Sequence, residues 1–306
     1  MKIGFSLSPG GLLFPYHLGA LSSLTTRGYI TDSTPLAGSS AGAIAVASHA
    51  AGVPSESAFD ACIRISDKCQ IMGGARGNLL PLLEDEMNAI LPRDAHLIVN
   101  EREGMAAVAY HEIFPKRKSV LKSQFESRED FIESVCNSSM FPFFSTNWPF
   151  VVRSGPRSLP LSGNDSTTTT AAAVDNVQKG EETNQAVIVT SNGNNNRFAL
   201  PRLVVDGFFT VPRDRFGCPE FPSDSGVDRT VTISVFPHAS IGLSASDKHD
   251  QISPKIDGDD AADLTRLFQG ATAPSPPEVH REVYERGYDD ATRWAIEEET
   301  RGAIIF

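Results

Sequence analysis

Two glycine-rich turns near the N-terminus, each set between a short strand-like run and a helical pattern, constrain this chain most. Ile3 to Leu7 reads as a short buried strand, and Pro9, Gly10 and Gly11 break it. Tyr16, Ala20 and Leu24 then recur every four residues, a helix face, with Gly28 where a C-terminal cap belongs. Pro35 to Ala37 reads as a second strand. Gly38-Ser39-Ser40-Ala41-Gly42 follows, and a small-residue helix runs to about Ala51, where Gly52 stops it. Strand, turn and helix, repeated, argue for an α/β fold with a parallel sheet and helices packed on its faces.

Further apolar runs extend the sheet. Leu97 to Val99, Ala106 to Ala109, Val187 to Val189, Leu203 to Val205 and Val231 to Val235 read as strands, and Phe131, Val135 and Met140 as a helix. Ser275-Pro276-Pro277-Glu278 has the form of a capping box opening a last helix. In that helix Val279, Val283, Gly287, Ala291 and Ala295 recur every four residues beside Tyr284, Tyr288 and Trp294. Core packing is the plain reading of the stripe, a lipid-docking face the sharper one. From about 154 to 197 Ser, Thr, Asn and Gly dominate, and periodicity is lost outside Val187 to Val189. That composition buries too little apolar surface to fold alone, so the stretch reads as a disordered insertion, or the hinge of a lid, within a single domain spanning 1–306.

At 306 residues and 40% hydrophobic composition the chain can build a real core. No run approaches the roughly 20 apolar residues of a membrane-spanning helix. A net charge of -11 argues against a nucleic-acid partner and against docking on anionic membranes by charge, but not against a neutral lipid surface. Cys62, Cys69, Cys136 and Cys218 show no metal or disulfide spacing, which fits free thiols in a reducing compartment. The N-terminus MKIGFSLSPGG has no signal-peptide or transit composition, so the expected location is intracellular.

Three motifs carry chemistry. Gly38-x-Ser40-x-Gly42 sits between a strand and a helix, where a nucleophilic serine must stand clear of its sheet on a tight turn. The following helix would turn its positive end toward a developing oxyanion. A tight turn with an inert serine is the plain alternative. Ser8-Pro9-Gly10-Gly11 is a second strand-to-helix turn, whose bare N–H groups suit an anion. A nucleotide loop competes for this motif, but Pro9 and Phe14 stand where it wants glycine and no lysine follows. Asp206-Gly207 directly follows Leu203-Val204-Val205, placing a carboxylate at the C-terminal end of a strand and hence at the ligand-binding edge of a parallel sheet. Asp-Gly alone is an ordinary turn.

The seven histidines (His17, His49, His96, His111, His238, His249 and His280) keep a Ser-His-Asp hydrolase in view. That fold places several strands before its nucleophile, and Ser40 has room for two. A direct Ser-Asp pair asks more of the carboxylate, since a pKa near 3.9 makes a poor base, but desolvation would raise it.

Together Gly10-Gly11, Gly38-x-Ser40-x-Gly42 and Asp206-Gly207 resemble the three signature motifs of patatin-like phospholipases, in order. PYHLGAL (15–21), SREDFIESVCNSSMFPFF (127–144) and SPPEVHREVYERGYDDATRW (275–294) resemble the branch holding adiponutrin and adipose triglyceride lipase. The resemblance implies a three-layer α/β/α sandwich with a mainly parallel central sheet, a Ser40–Asp206 dyad, and oxyanion donors from the backbone at Gly10 and Gly11. Gly38, Gly42 and Gly207 are the remaining motif positions. It implies no metal and no organic cofactor. The implied activity is hydrolysis of glycerolipid esters, as triacylglycerol lipase or phospholipase with a transacylase side activity, at a lipid-droplet or membrane surface. A catalytically weak lipid-binding or lipid-droplet regulatory protein keeping the same fold is the alternative. The chain departs from the family pattern at Pro9 and Phe14, which replace the outer glycines of the first loop. It departs again at Phe208, which either crowds the base or lines the acyl groove. The aromatic run Phe141-Pro142-Phe143-Phe144, with Trp148 and Phe150, is expected either to dock on lipid or to wall the groove.

Overall fold

The computed structural model describes residues 1–153, 201–211, 215–238, 250–255 and 261–304. Within them both N-terminal repeats form. Strand β1 (Ile3–Leu7) leads through a 3-10 turn at Gly11–Leu13 into helix α1 (Phe14–Thr26). Strand β2 (Leu36–Ser39) leads at Ser40 into α2 (Ala41–Ala50). The chain continues through α3 (Ser55–Ile71), α4 (Leu79–Ile90), α5 (Ala95–Asn100), β3 (Ala106–Phe114), β4 (Lys118–Lys122) and α6 (Arg128–Ser138). After β5 (Val151–Arg153) and β6 (Arg202–Val205) come β7 (Arg229–Ile233), β8 (Gln251–Ile252), α7 (Ala261–Thr272) and α8 (Pro277–Ile304). Val187 to Val189 and the insertion around them lie outside the described residues.

The sheet is mixed and mostly parallel. Strands β8, β7, β1, β2 and β3 stand side by side in that order, all parallel. Strand β4 pairs antiparallel with β3, from Val108 opposite Lys122 to Glu112 opposite Lys118. Strand β6 also pairs antiparallel with β3, and β5 with β6.

This corrects the expectation for Leu203 to Val205. The run is a strand, but it does not rise with the parallel body to end at its upper edge. The registers show where it goes. Ala109 has Leu121 of β4 on one side and Ser39 of β2 on the other; His111 has Ser119 of β4 on one side and Val205 of β6 on the other. Strands β2 and β6 therefore share one edge of β3 and run toward each other along it. Their C-terminal ends meet across Tyr110, which brings Ser40 and Asp206 together.

Leu97 to Val99 is a second correction, since these residues lie in helix α5. A three-residue apolar run carries no period, and here the spacing of the buried residues decides. Ala95 and Val99 are buried one turn apart, whereas Leu97 is 49% exposed. Strand β7 stops at Ile233, short of the expected Val235, although Val235 is still buried. The predicted helix around Phe131 is α6, opened by Ser127, whose hydroxyl accepts from the Asp130 N–H (3.1 Å); it ends at Ser138, short of the expected Met140. The stripe on α8 is core: Gly287, Ala291, Trp294 and Ala295 are buried, while Val279 is 38% exposed. It packs on α1 so tightly that a Cβ on Gly287 would lie 2.0 Å from the Tyr16 carbonyl oxygen, and one on Gly19 2.0 Å from that of Tyr284. All four cysteines are buried and unpaired. Among the described residues no helix is long and apolar enough to cross a membrane.

Candidate active site

The turn at Ser40 is built by its two glycines. A Cβ on Gly38 would lie 2.3 Å from the Gly42 carbonyl oxygen, and one on Gly42 2.6 Å from that of Leu7, so neither position admits a side chain. Ser40 itself sits at φ 53°, ψ -122°, a region that costs a non-glycine residue on the order of 1–3 kcal/mol and clusters at functional sites. Helix α2 begins at the next residue, and the Ile44 N–H donates to the Ser40 carbonyl (3.1 Å). The Ser40 N–H donates to Ser138 Oγ (2.9 Å), and that hydroxyl in turn donates to the Ala109 carbonyl (2.5 Å). Ser138 is fully buried and pins the strained turn to β3.

Asp206 arrives from the opposite direction on β6 and is held by the same part of the chain. Its N–H donates to the Met140 carbonyl (2.8 Å), two residues beyond Ser138. The end of α6 thus fixes both partners. Gly207 follows where a Cβ would meet the Ala109 carbonyl oxygen at 2.3 Å and Ser39 Cβ at 2.4 Å, which measures how closely the two strand ends approach. Asp206 is 0% exposed. Its Oδ1 accepts from the Phe208 N–H (2.8 Å), and its buried Oδ2 completes no hydrogen bond. Burial pushes the carboxyl up to about 7, against the Phe208 N–H and the nearby Ser40 hydroxyl, which favour the charged form. The Ser40 hydroxyl therefore lies near the carboxylate, with no hydrogen bond formed between the two. A base near pKa 7 is matched to proton transfer at neutral pH.

The first glycine turn stands at the end of β1, next to β2 in the sheet. Gly11 has φ 54°, and a Cβ there would lie 2.2 Å from the Ala271 carbonyl oxygen, so only glycine fits. No described residue accepts from the Gly10 or Gly11 N–H. Beneath the turn, buried His17 bonds the Ser8 carbonyl through Nε2 (2.8 Å). Gly10, Gly11 and Ser40 line one cavity of about 390 Å³. The rest of its wall is almost wholly apolar, drawn from α2, α3, α4 and α7 and from Phe141, Phe144, Phe208, Phe216 and Phe236. Phe208 thus walls the cavity, and Pro9 and Phe14 stand in its lining as well.

Of the six described histidines, none lines this cavity and none hydrogen-bonds Ser40 or Asp206. His238 pairs with Thr232 Oγ1 (3.1 Å) and His280 with Ser66 Oγ (3.0 Å), both buried. Burial holds His17 and His238 down at about 4, so neither is charged at neutral pH. His249 lies outside the described residues. Sequence reasoning passed over Ser138, which lies within the resembling stretch 127–144 but 98 residues from Ser40. It passed over Glu86 too, a charged residue in an apolar wall.

No family model matches the chain, and no curated protein matches it. Among solved structures, VipD from Legionella pneumophila is similar at 12% identity with a TM-score of 0.37; the match covers 96% of this chain and 66% of that one. The chain thus spans about two thirds of VipD's length.

Proposed function

We propose that this chain is a serine lipid acyl hydrolase of the patatin-like kind, a three-layer α/β/α sandwich acting on glycerolipid esters through a Ser40–Asp206 dyad. The observation that carries the reading is the head-on meeting of β2 and β6, which sets a buried carboxylate beside a strained serine at an apolar cavity. A structural Asp-Gly turn has no need of a desolvated carboxylate with a free oxygen, and a simple lipid binder has no need of the strain at Ser40.

Asp206 takes the Ser40 proton as Oγ attacks the ester carbonyl. The carbonyl oxygen becomes an oxyanion beside the Gly10 and Gly11 N–H groups. Collapse breaks the ester bond, and the departing alcohol takes the proton from Asp206. Water then attacks the acyl-serine, giving its proton to Asp206; the free acid leaves and Oγ recovers a proton. A lipid alcohol in place of that water makes the step a transacylation.

A fluorophosphonate probe tests this, because only an activated serine attacks it quickly. Label on Ser40 alone, with fatty acid released from a mixed lipid extract, is the expected result. Ester turnover without label on Ser40 would overturn it, and neither label nor turnover would favour a lipid-binding protein.

Long acyl esters are insoluble, so the cavity mouth must meet a lipid-droplet or membrane surface. The aromatic run divides between its two expected uses. Phe141 and Phe144 line the cavity, whereas Phe143 and Trp148 are 54% and 67% exposed and held together by the Phe143 N–H to the Trp148 carbonyl (3.1 Å). Phe143→Ser with Trp148→Ser should weaken sedimentation with a neutral-lipid emulsion about tenfold or more, the scale of two lost aromatic burials. Hydrolysis of a soluble short-chain ester should stay near normal. Unchanged sedimentation would refute docking through this pair.

A further inference from the structure

One ionised side chain stands in the wall of the cavity. Glu86, on α4, is buried, yet it lines the same space as Ser40. Both of its oxygens are taken: Oε2 accepts from Arg64 Nε (2.9 Å), with Arg64 Nη2 at 2.8 Å from the same oxygen, and Oε1 accepts from Lys68 Nζ (2.9 Å). Burial acts to raise its pKa, but the Arg64 and Lys68 contacts outweigh that and hold it below the ordinary value. Arg64 and Lys68 stand one turn apart on α3 with side chains 47% and 45% exposed, so the set bridges the cavity and the solvent.

Its position along the cavity follows from how α4 lies on α6. The start of α4 adjoins the turn after α6: the Leu80 N–H donates to the Ser145 carbonyl (2.9 Å) and the Gly77 N–H to that of Phe144 (2.7 Å). The end of α4 adjoins the start of α6, where Arg128 bonds the Asn88 and Leu91 carbonyls (2.7 and 3.0 Å). The helices are antiparallel, and Ser40 is bonded at the end of α6, through Ser138. The cavity wall formed by Leu79, Leu83, Met87 and Ile90 therefore leads away from the nucleophile. Glu86 lies about 10 Å along it from Leu79, at 1.5 Å per helical residue.

We propose that the Glu86–Arg64–Lys68 set puts a charged step in the wall of the acyl groove, about 6 Å short of Ile90 along α4, and limits the length of the chain the groove accepts, making Glu86 a specificity-determining residue. The proposal rests on the hydrolase reading for its ligand, a long-chain acyl group. Methylenes that stay short of Glu86 exchange water for apolar wall. Those that reach it lie against a desolvated carboxylate held by two cations, and an apolar chain offers that charge no hydrogen bond in place of water.

The test measures binding of saturated fatty acids of increasing length to the full chain carrying Ser40→Ala, by displacement of a fluorescent fatty acid. Affinity should rise roughly fourfold per methylene up to a limit and then level off. Adding Glu86→Leu should move that limit to longer acids, with at least about a tenfold gain over the parent beyond the parent's limit. Arg64→Ala with Lys68→Ala should move it the same way, and serves if Glu86→Leu does not fold. An unchanged limit in the folded variants would overturn the proposal. The hydrolase reading fails separately. A wild-type chain that cleaves no ester, in a protein whose binding limit moves with Glu86, discards the hydrolase and keeps the length limit. Ester cleavage with an immovable limit does the reverse.

Discussion

Ser40→Ala is expected to lower ester turnover by at least about a thousandfold, the scale on which loss of a nucleophile acts elsewhere. The substitution removes one oxygen and leaves its surroundings in place. The backbone at φ 53° is held by Gly38, Gly42 and the Ser138 hydroxyl, none of which uses the Ser40 side chain. Alanine meets the same strain as serine there, so stability should change little and the lost rate reports chemistry. Initial rates on a soluble short-chain ester, with thermal unfolding of the same samples, check this. A loss of less than tenfold in a folded variant would remove Ser40 from the mechanism.

Asp206→Asn is expected to cost nearly as much, because an amide cannot take the proton, and to alter pH dependence in two opposed ways. In the wild type the base form appears as pH rises through about 7, so turnover should climb to a plateau with its midpoint there. Stability should run the other way. The folded carboxyl sits at about 7 and the free one at 3.8, so between those values the folded state holds a proton that the unfolded state has lost. Stability from this group is full below the lower value and falls as pH rises through the window. The loss by pH 8 is on the order of 4 kcal/mol. Asparagine keeps the acceptor for the Phe208 N–H and carries no charge to bury. The variant should therefore be inactive yet more stable than wild type at pH 8, with the gap closing toward pH 4. Chemical denaturation at several pH values reads this directly. Equal pH slopes in the two proteins would show that Asp206 is not the desolvated base. By the same argument His238→Ala, in a folded chain, should cost little turnover, since His238 is engaged with Thr232.

The elements that the sequence by itself determined are those whose cause is local. Both N-terminal strand–turn–helix units form where glycine and apolar spacing place them, and Ser40 lies on the turn that Gly38 and Gly42 make inevitable. The stripe from Gly287 to Ala295 is buried because a helix repeats its face every three to four residues. Leu97 to Val99 failed because three apolar residues fit a strand and a helix equally well, and packing against the rest of the chain chose the helix. Asp206 was legible as a carboxylate at a strand end, but not the direction in which its strand runs. Only the tertiary structure decided that β6 descends along the edge of β3 that β2 ascends, because strand pairing over such a separation leaves no periodicity in either strand. The raised pKa of Asp206 follows from that meeting, since desolvation is a property of what surrounds a carboxylate and not of its neighbours in sequence. Ser138 and Glu86 belong to the same class: an ordinary serine and an ordinary helix glutamate until the fold buries one beneath Ser40 and turns the other into the wall of the apolar cavity.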